Sequence, residues 1–170
     1  MKILKIVLLV IGCIIFVLII LFLIYLWMNR QGVIESSEIG NPELEHKVLI
    51  ASQGSGFKNA LVKGLSTNLE QRQIYIKILD VTALSEVSEQ DWDAVVLIHS
   101  VEMSKLQPDV KAFLDRVHDL DKVILITTSG PGTWETDDYD VDIITSASKK
   151  EELPGLTKDI LRRLDVRLSK

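Results

Sequence analysis

From Ile6 to Met28 the chain carries no charged residue, and this single stretch limits every fold open to it. Written as a helix rising about 1.5 Å per residue, it covers roughly 34 Å, enough to cross a hydrocarbon core of about 30 Å. Backbone amides in lipid must be satisfied within the segment, so a helix is the only open conformation a lone segment can adopt there. The expectation is one transmembrane helix and a bilayer as the first partner of the chain. A cleaved secretory signal fits less well, because the segment closes on Tyr25, Leu26, Trp27 and Met28 rather than on small residues. Val10-Ile11-Gly12-Cys13 resembles a lipobox, but the apolar run continues beyond it, and Cys13 reads as a membrane-buried thiol.

Tyr25 and Trp27 suit an interfacial aromatic belt, with Arg30 beyond them. Lys2 and Lys5 precede the span, whereas Arg30 is followed by Glu35, Glu38, Glu43 and Glu45. The positive-inside rule therefore puts the amino terminus in the cytoplasm and the folded part outside it. Setting Lys2, Lys5 and Arg30 aside from the 19 basic residues leaves 16 against 24 acidic ones, a net charge of −8 after the anchor. Nucleic acid is excluded as a main partner by that balance. With Cys13 the only cysteine, no disulfide can form within the chain.

Three segments follow: an anchor at 1–30, a linker at 31–46 and a folded domain at 47–170. The linker holds Gly32, Gly40, Pro42 and four glutamates, with scarcely any apolar periodicity. Beyond it, apolar runs alternate with helical spacing. Val48 to Ala51 reads as a buried strand that ends in Ser52-Gln53-Gly54-Ser55-Gly56-Phe57, a turn into a helix bearing Leu61, Val62, Leu65 and Leu69. Ile74 to Leu79 alternates and reads as an edge strand, with a short helix expected near Leu84 to Gln90. Ala94–Ile98 and Val123–Ile126 are apolar on both faces, as central parallel strands are. Between them Val110, Phe113, Leu114 and Val117 mark a helix with Pro108 in its first turn. A last strand, Val141 to Ile144, precedes a helix with Leu156, Ile160, Leu164 and Leu168, and Thr127 to Asp140 reads as a long loop. The pattern predicts a doubly wound, five-stranded parallel α/β sheet preceded by one transmembrane helix.

The turn at Gly54 is the candidate site. Two glycines could let the amides of Gly54 to Phe57 converge on an anion beside the dipole of the next helix, with Lys58 adding charge. The alternative is that the glycines only make a strand-to-helix turn. Neither a P-loop nor a dinucleotide fingerprint is present, since no Gly-Lys-Ser/Thr follows and the third glycine near Asn59 is missing. Receiver chemistry lacks its acids, because Ser52 and His99 stand at the ends of strands one and three. Hydrolysis by Ser52 and His99, with Glu102 orienting the imidazole, would need a nucleophile elbow that the chain does not have. His46, His99 and His118 show no ligand spacing, and Asp137, Asp138, Asp140 and Asp142 read as a solvated loop rather than a metal site.

From Lys47 to about Leu168 this arrangement resembles the flavodoxin family, whose first loop is a hydroxyl- and glycine-rich cradle for the phosphate of FMN. The resemblance implies strand order 2-1-3-4-5 and a ligand beside the switch point between strands one and three. It implies that Ser52, Gln53, Gly54, Ser55, Gly56 and Phe57 hold the phosphate. His99 and Ser100 after strand three, and Ser129, Gly130, Gly132, Thr133 and Trp134 after strand four, would flank the flavin ring, with Trp134 or Tyr139 stacked on it. Phe57 stands where such a cradle usually closes on threonine, and the loop after strand three has no aromatic. The implied function is FMN-dependent electron transfer or reduction with a quinone or redox protein as partner. The rival is a degenerate, non-catalytic module that binds another anion or a membrane protein.

Overall fold

The structure is a computed structural model that describes residues 2–28 and 32–169. The side chains of Lys2, Tyr25 and Trp27, and all of Arg30, lie outside the described residues, and with them the expected aromatic belt and most of the flanking charge. Two compact units divide the chain, 1–31 and 32–170. In the first, helix α1 (Lys2–Met28) includes Lys5–Ile24, whose mean hydropathy of 3.7 makes it long and apolar enough to cross a membrane.

The second unit is a mixed α/β sheet of seven strands, not the five expected. In chain order they are β1 (Gly32–Val33), β2 (Ser37–Ile39), β3 (Lys47–Gly54), β4 (Tyr75–Asp80), β5 (Ala94–Ser100), β6 (Val123–Thr128) and β7 (Asp142–Ser146). The order across the sheet is β2-β4-β3-β5-β6-β7, and β1 pairs with β3 off that path. Neighbours among β3 to β7 are parallel, which is flavodoxin-like connectivity, while β1 and β2 are antiparallel to their partners. The two extra strands come from the stretch expected to be a linker. Short strands that pair along an edge need backbone groups rather than an apolar face, so periodicity does not reveal them. β2 is held across the pair by Glu38 and Lys77, which are in register and 3.3 Å apart. It covers β4, and the strand expected at the sheet edge is therefore interior.

Two apolar layers sandwich the sheet. Alternate residues of the strands, such as Ile50, Val96, Ile98 and Ile124, pack beneath helices α2 (Gly56–Glu70) and α4 (Leu153–Leu168). The intervening residues Leu49, Val95, Leu97 and Leu125 pack on the other face with Val110, Phe113 and Leu114 of α3 (Pro108–Leu114). Helix α3 stops seven residues in, before Val117, and 3-10 turns at Val81–Glu86 and Glu89–Asp91 replace the short helix expected near Leu84. On β7, Asp142 pairs with both Arg163 and Arg167 of α4, which clamps the last strand to the last helix.

Candidate functional site

The carboxyl ends of β3, β5 and β6 meet at a cluster of small polar side chains. Apolar residues fill both strand faces until the last turn of each, where Ser52, Gln53, His99, Ser100, Thr127 and Thr128 take over. Because winding reverses between β3 and β5, this seam is where an open α/β sheet offers a crevice.

In this protein a hydrogen-bonded set of side chains lines the seam. Gln53 is buried, and its Oε1 accepts from the Ser100 amide at 2.6 Å. Lys58, in the first turn of α2, is 2 % exposed and donates from Nζ to Ser100 Oγ at 2.7 Å. Ser100 Oγ also lies 3.1 Å from Thr128 Oγ1, which in turn donates to the His99 carbonyl at 3.2 Å. Burial lowers the Lys58 pKa to about 8, with nearby Glu102 opposing the shift. His99 is fully buried. Its Nδ1–H faces the Ser100 carbonyl at 2.9 Å, which leaves Nε2 as a buried acceptor with no partner among the described residues. Burial is also the main reason its pKa falls to about 4, and the ring is neutral at neutral pH.

The first loop does not form the expected cradle. Gly54 is the last residue of β3 and pairs with Gly32, and a Cβ there would stand 2.7 Å from the Gly32 carbonyl carbon. The glycine serves backbone against backbone. Ser52 is fully buried and donates to the Gln53 carbonyl, while Ser55 caps α2 by accepting from the Lys58 amide. At Gly56 a Cβ would meet nothing within 4 Å, and Phe57 packs against the core beneath α2. Gly54 is thus engaged in pairing with β1 and Ser55 in capping α2, and no phosphate-binding loop is seen among the described residues.

The remaining predicted residues divide. His99 and Ser100 join the seam. Ser129 continues from β6, its amide donating to the Ser146 carbonyl and its hydroxyl accepting from Gly132. Gly132 has φ +71°, whereas Gly130 is in open space and Thr133 is exposed. Trp134 is drawn elsewhere. Thr127 Oγ1 holds its carbonyl at 3.0 Å, and its side chain lines a separate cleft of about 600 Å³ with Leu106, Pro108 and Lys111. None of residues 52–58 lines that cleft. Tyr139 is committed to Asp115, which accepts from its hydroxyl. The aromatic residues expected over a flavin are thus turned to other contacts. Among the described residues, no group of three or more His, Cys, Asp or Glu could hold a metal ion.

Two solved structures show distant likeness to the chain. An oxidoreductase from Corynebacterium diphtheriae is 16 % identical with a TM-score of 0.36, over 50 % of this chain and 64 % of that one. A flavodoxin from Streptococcus pneumoniae is 11 % identical with a TM-score of 0.46, over 66 % of this chain and 92 % of that one. The chain thus spans a little under two thirds of the length of the first. No protein-family model matches the chain, and no curated protein does.

Lys58 is the residue that sequence reasoning undervalued. It stands at i relative to Leu61, Val62 and Leu65, on the face of α2 that the apolar spacing already assigns to the core. A lysine on a buried face needs a reason. Asp80 has a role that no periodicity shows: its carboxylate accepts from the Ile34 amide at 2.9 Å and from Thr82, tying the segment after β1 to the end of β4.

Proposed function

We propose that this chain is a membrane-tethered binding module whose switch-point seat takes a small anion on Lys58, rather than FMN. The contact between Lys58 Nζ and Ser100 Oγ carries the reading, because it brings a buried cation and two hydroxyls to the place where parallel α/β sheets bind ligands. At neutral pH an amine with a pKa of about 8 is mostly protonated, so it supplies charge to the seat. Around it, Ser52 to Phe57 frame one side and Ser129 to Thr133 follow from the neighbouring strand. The anchor at α1 sets the module at a bilayer, and the charges flanking the span favour a folded unit outside the cytoplasm. A quinone or redox partner is not required by this reading.

Inorganic phosphate is the simplest probe. With the full chain in detergent micelles, phosphate should raise the unfolding midpoint of the soluble unit. At about ten times its dissociation constant the gain is about 1.4 kcal/mol, or roughly 3–5 °C. Lys58→Met should abolish that rise. An equal rise in the variant, or none in the parent at about 50 mM added phosphate, would remove Lys58 from the site.

A further inference from the structure

Ser100 differs from the other hydroxyls of the seam in being both partly exposed and held on three sides. Gln53 fixes its amide, Lys58 reaches its oxygen, and Thr128 stands beside it. Since Thr128 donates its own proton to the His99 carbonyl, the Ser100 hydroxyl is the donor of that pair whenever Lys58 is protonated. Loss of one proton from Lys58 changes the arrangement: the amine becomes an acceptor 2.7 Å from Ser100 Oγ, within reach for proton transfer.

We propose that Ser100 and Lys58 form a serine–lysine dyad, with Ser100 Oγ as a nucleophile toward small carboxylic esters and Lys58 Nζ as its general base. The inference rests on the same seat as the anion reading and adds chemistry to it. Neutral Lys58 takes the Ser100 proton as Oγ bonds to the ester carbonyl carbon. The carbon–oxygen bond to the alcohol breaks, Lys58 returns the proton to the departing alkoxide, and an acyl group remains on Ser100. Water then attacks that acyl group with Lys58 again as base, releasing the acid and restoring the hydroxyl. Desolvation keeps a fraction of Lys58 unprotonated near neutrality, roughly one in ten at pH 7, and the charged neighbour acting on it is Glu102, while the buried His99 ring beside it is neutral.

The test uses a fluorophosphonate, which forms an Oγ–phosphorus bond on an activated serine and expels fluoride. Full chain in micelles should gain one phosphonyl group, mapped by peptide mass spectrometry to Ser100. Ser100→Ala should lose the adduct. Lys58→Met should label about 100-fold more slowly or worse, and Lys58→Arg, which keeps the charge but cannot act as a base, should behave the same way. No adduct at millimolar probe, an adduct on Ser52 instead, or labelling of Lys58→Arg at the parent rate would overturn the dyad. A phosphate-induced rise in stability without phosphonylation sinks the dyad and leaves the anion seat. Phosphonylation of Ser100 without the rise does the reverse.

Discussion

Gly54→Val should lower the stability of the soluble unit by about 3 kcal/mol, whereas Gly56→Ala should leave it unchanged or raise it by up to about 1 kcal/mol. The two glycines look equivalent in the sequence, and the structure separates them. A Cβ on Gly54 would lie 2.7 to 2.9 Å from backbone atoms of Gly32 and Val33, so β1 must move away. Its pairing with β3 goes, and with it the Ile34 amide bond to Asp80, which as a bond to a charged group is worth about 1.5–3 kcal/mol. At Gly56 a Cβ meets open space in the first turn of a helix, where alanine is the better residue. Thermal unfolding should show the midpoint falling by roughly 6–12 °C for Gly54→Val alone. Amide exchange at Ile34 should speed up in the same variant. A protected Ile34 amide and an unchanged midpoint would mean that β1 is not packed on Gly54.

The second large effect is expected at Gly132. Its φ of +71° lies in the left-handed region, and a Cβ would stand 2.5 Å from the Ala147 amide nitrogen. Gly132→Val therefore combines a left-handed β-branched residue, costing about 1–2 kcal/mol, with displacement of the backbone just after β7. A total loss of about 3 kcal/mol follows. The damage should reach the seam, because Ser129 accepts from the Gly132 amide through its hydroxyl and bonds β7 through its own amide. Gly130→Ala, with nothing within 4 Å of the added carbon, is the matched control. Urea titration of the pair measures the difference, and equal midpoints would contradict the assigned backbone geometry.

The parallel core was legible because its signals are local and redundant. Val48 to Ala51, Ala94 to Ile98 and Val123 to Ile126 are buried on both faces, and β-branched runs bounded by polar residues have few other uses. The same holds for α2 and α4, whose leucine spacing lies on the buried face. What could not be read is pairing that depends on backbone alone. Gly32 and Val33 carry no apolar pattern, yet they occupy the space above Gly54 that the cradle required. Glycine near a strand end signals close approach, but the sequence does not say whether a phosphate or another strand approaches. Trp134 misled for a related reason: loop aromatics pack where the loop's own hydrogen bonds allow, and the Thr127 contact fixes the Trp134 carbonyl beside the α3 cleft. Lys58 was the readable exception, a charge on the wrong face of its helix.

The central claim is that Gly54 and Ser55 are engaged in strand pairing and helix capping, with Lys58 and Ser100 offering the seam between β3 and β5 to a small anion instead of a flavin phosphate. Titrating the full chain in micelles into FMN, with flavin fluorescence followed to a molar excess of protein, tests it most directly. The expected result is emission that stays at the level of free FMN and a protein without visible absorbance. Saturable quenching at one FMN per chain, weakened by Gly54→Val, would contradict the claim and return residues 52–57 to service as a phosphate loop.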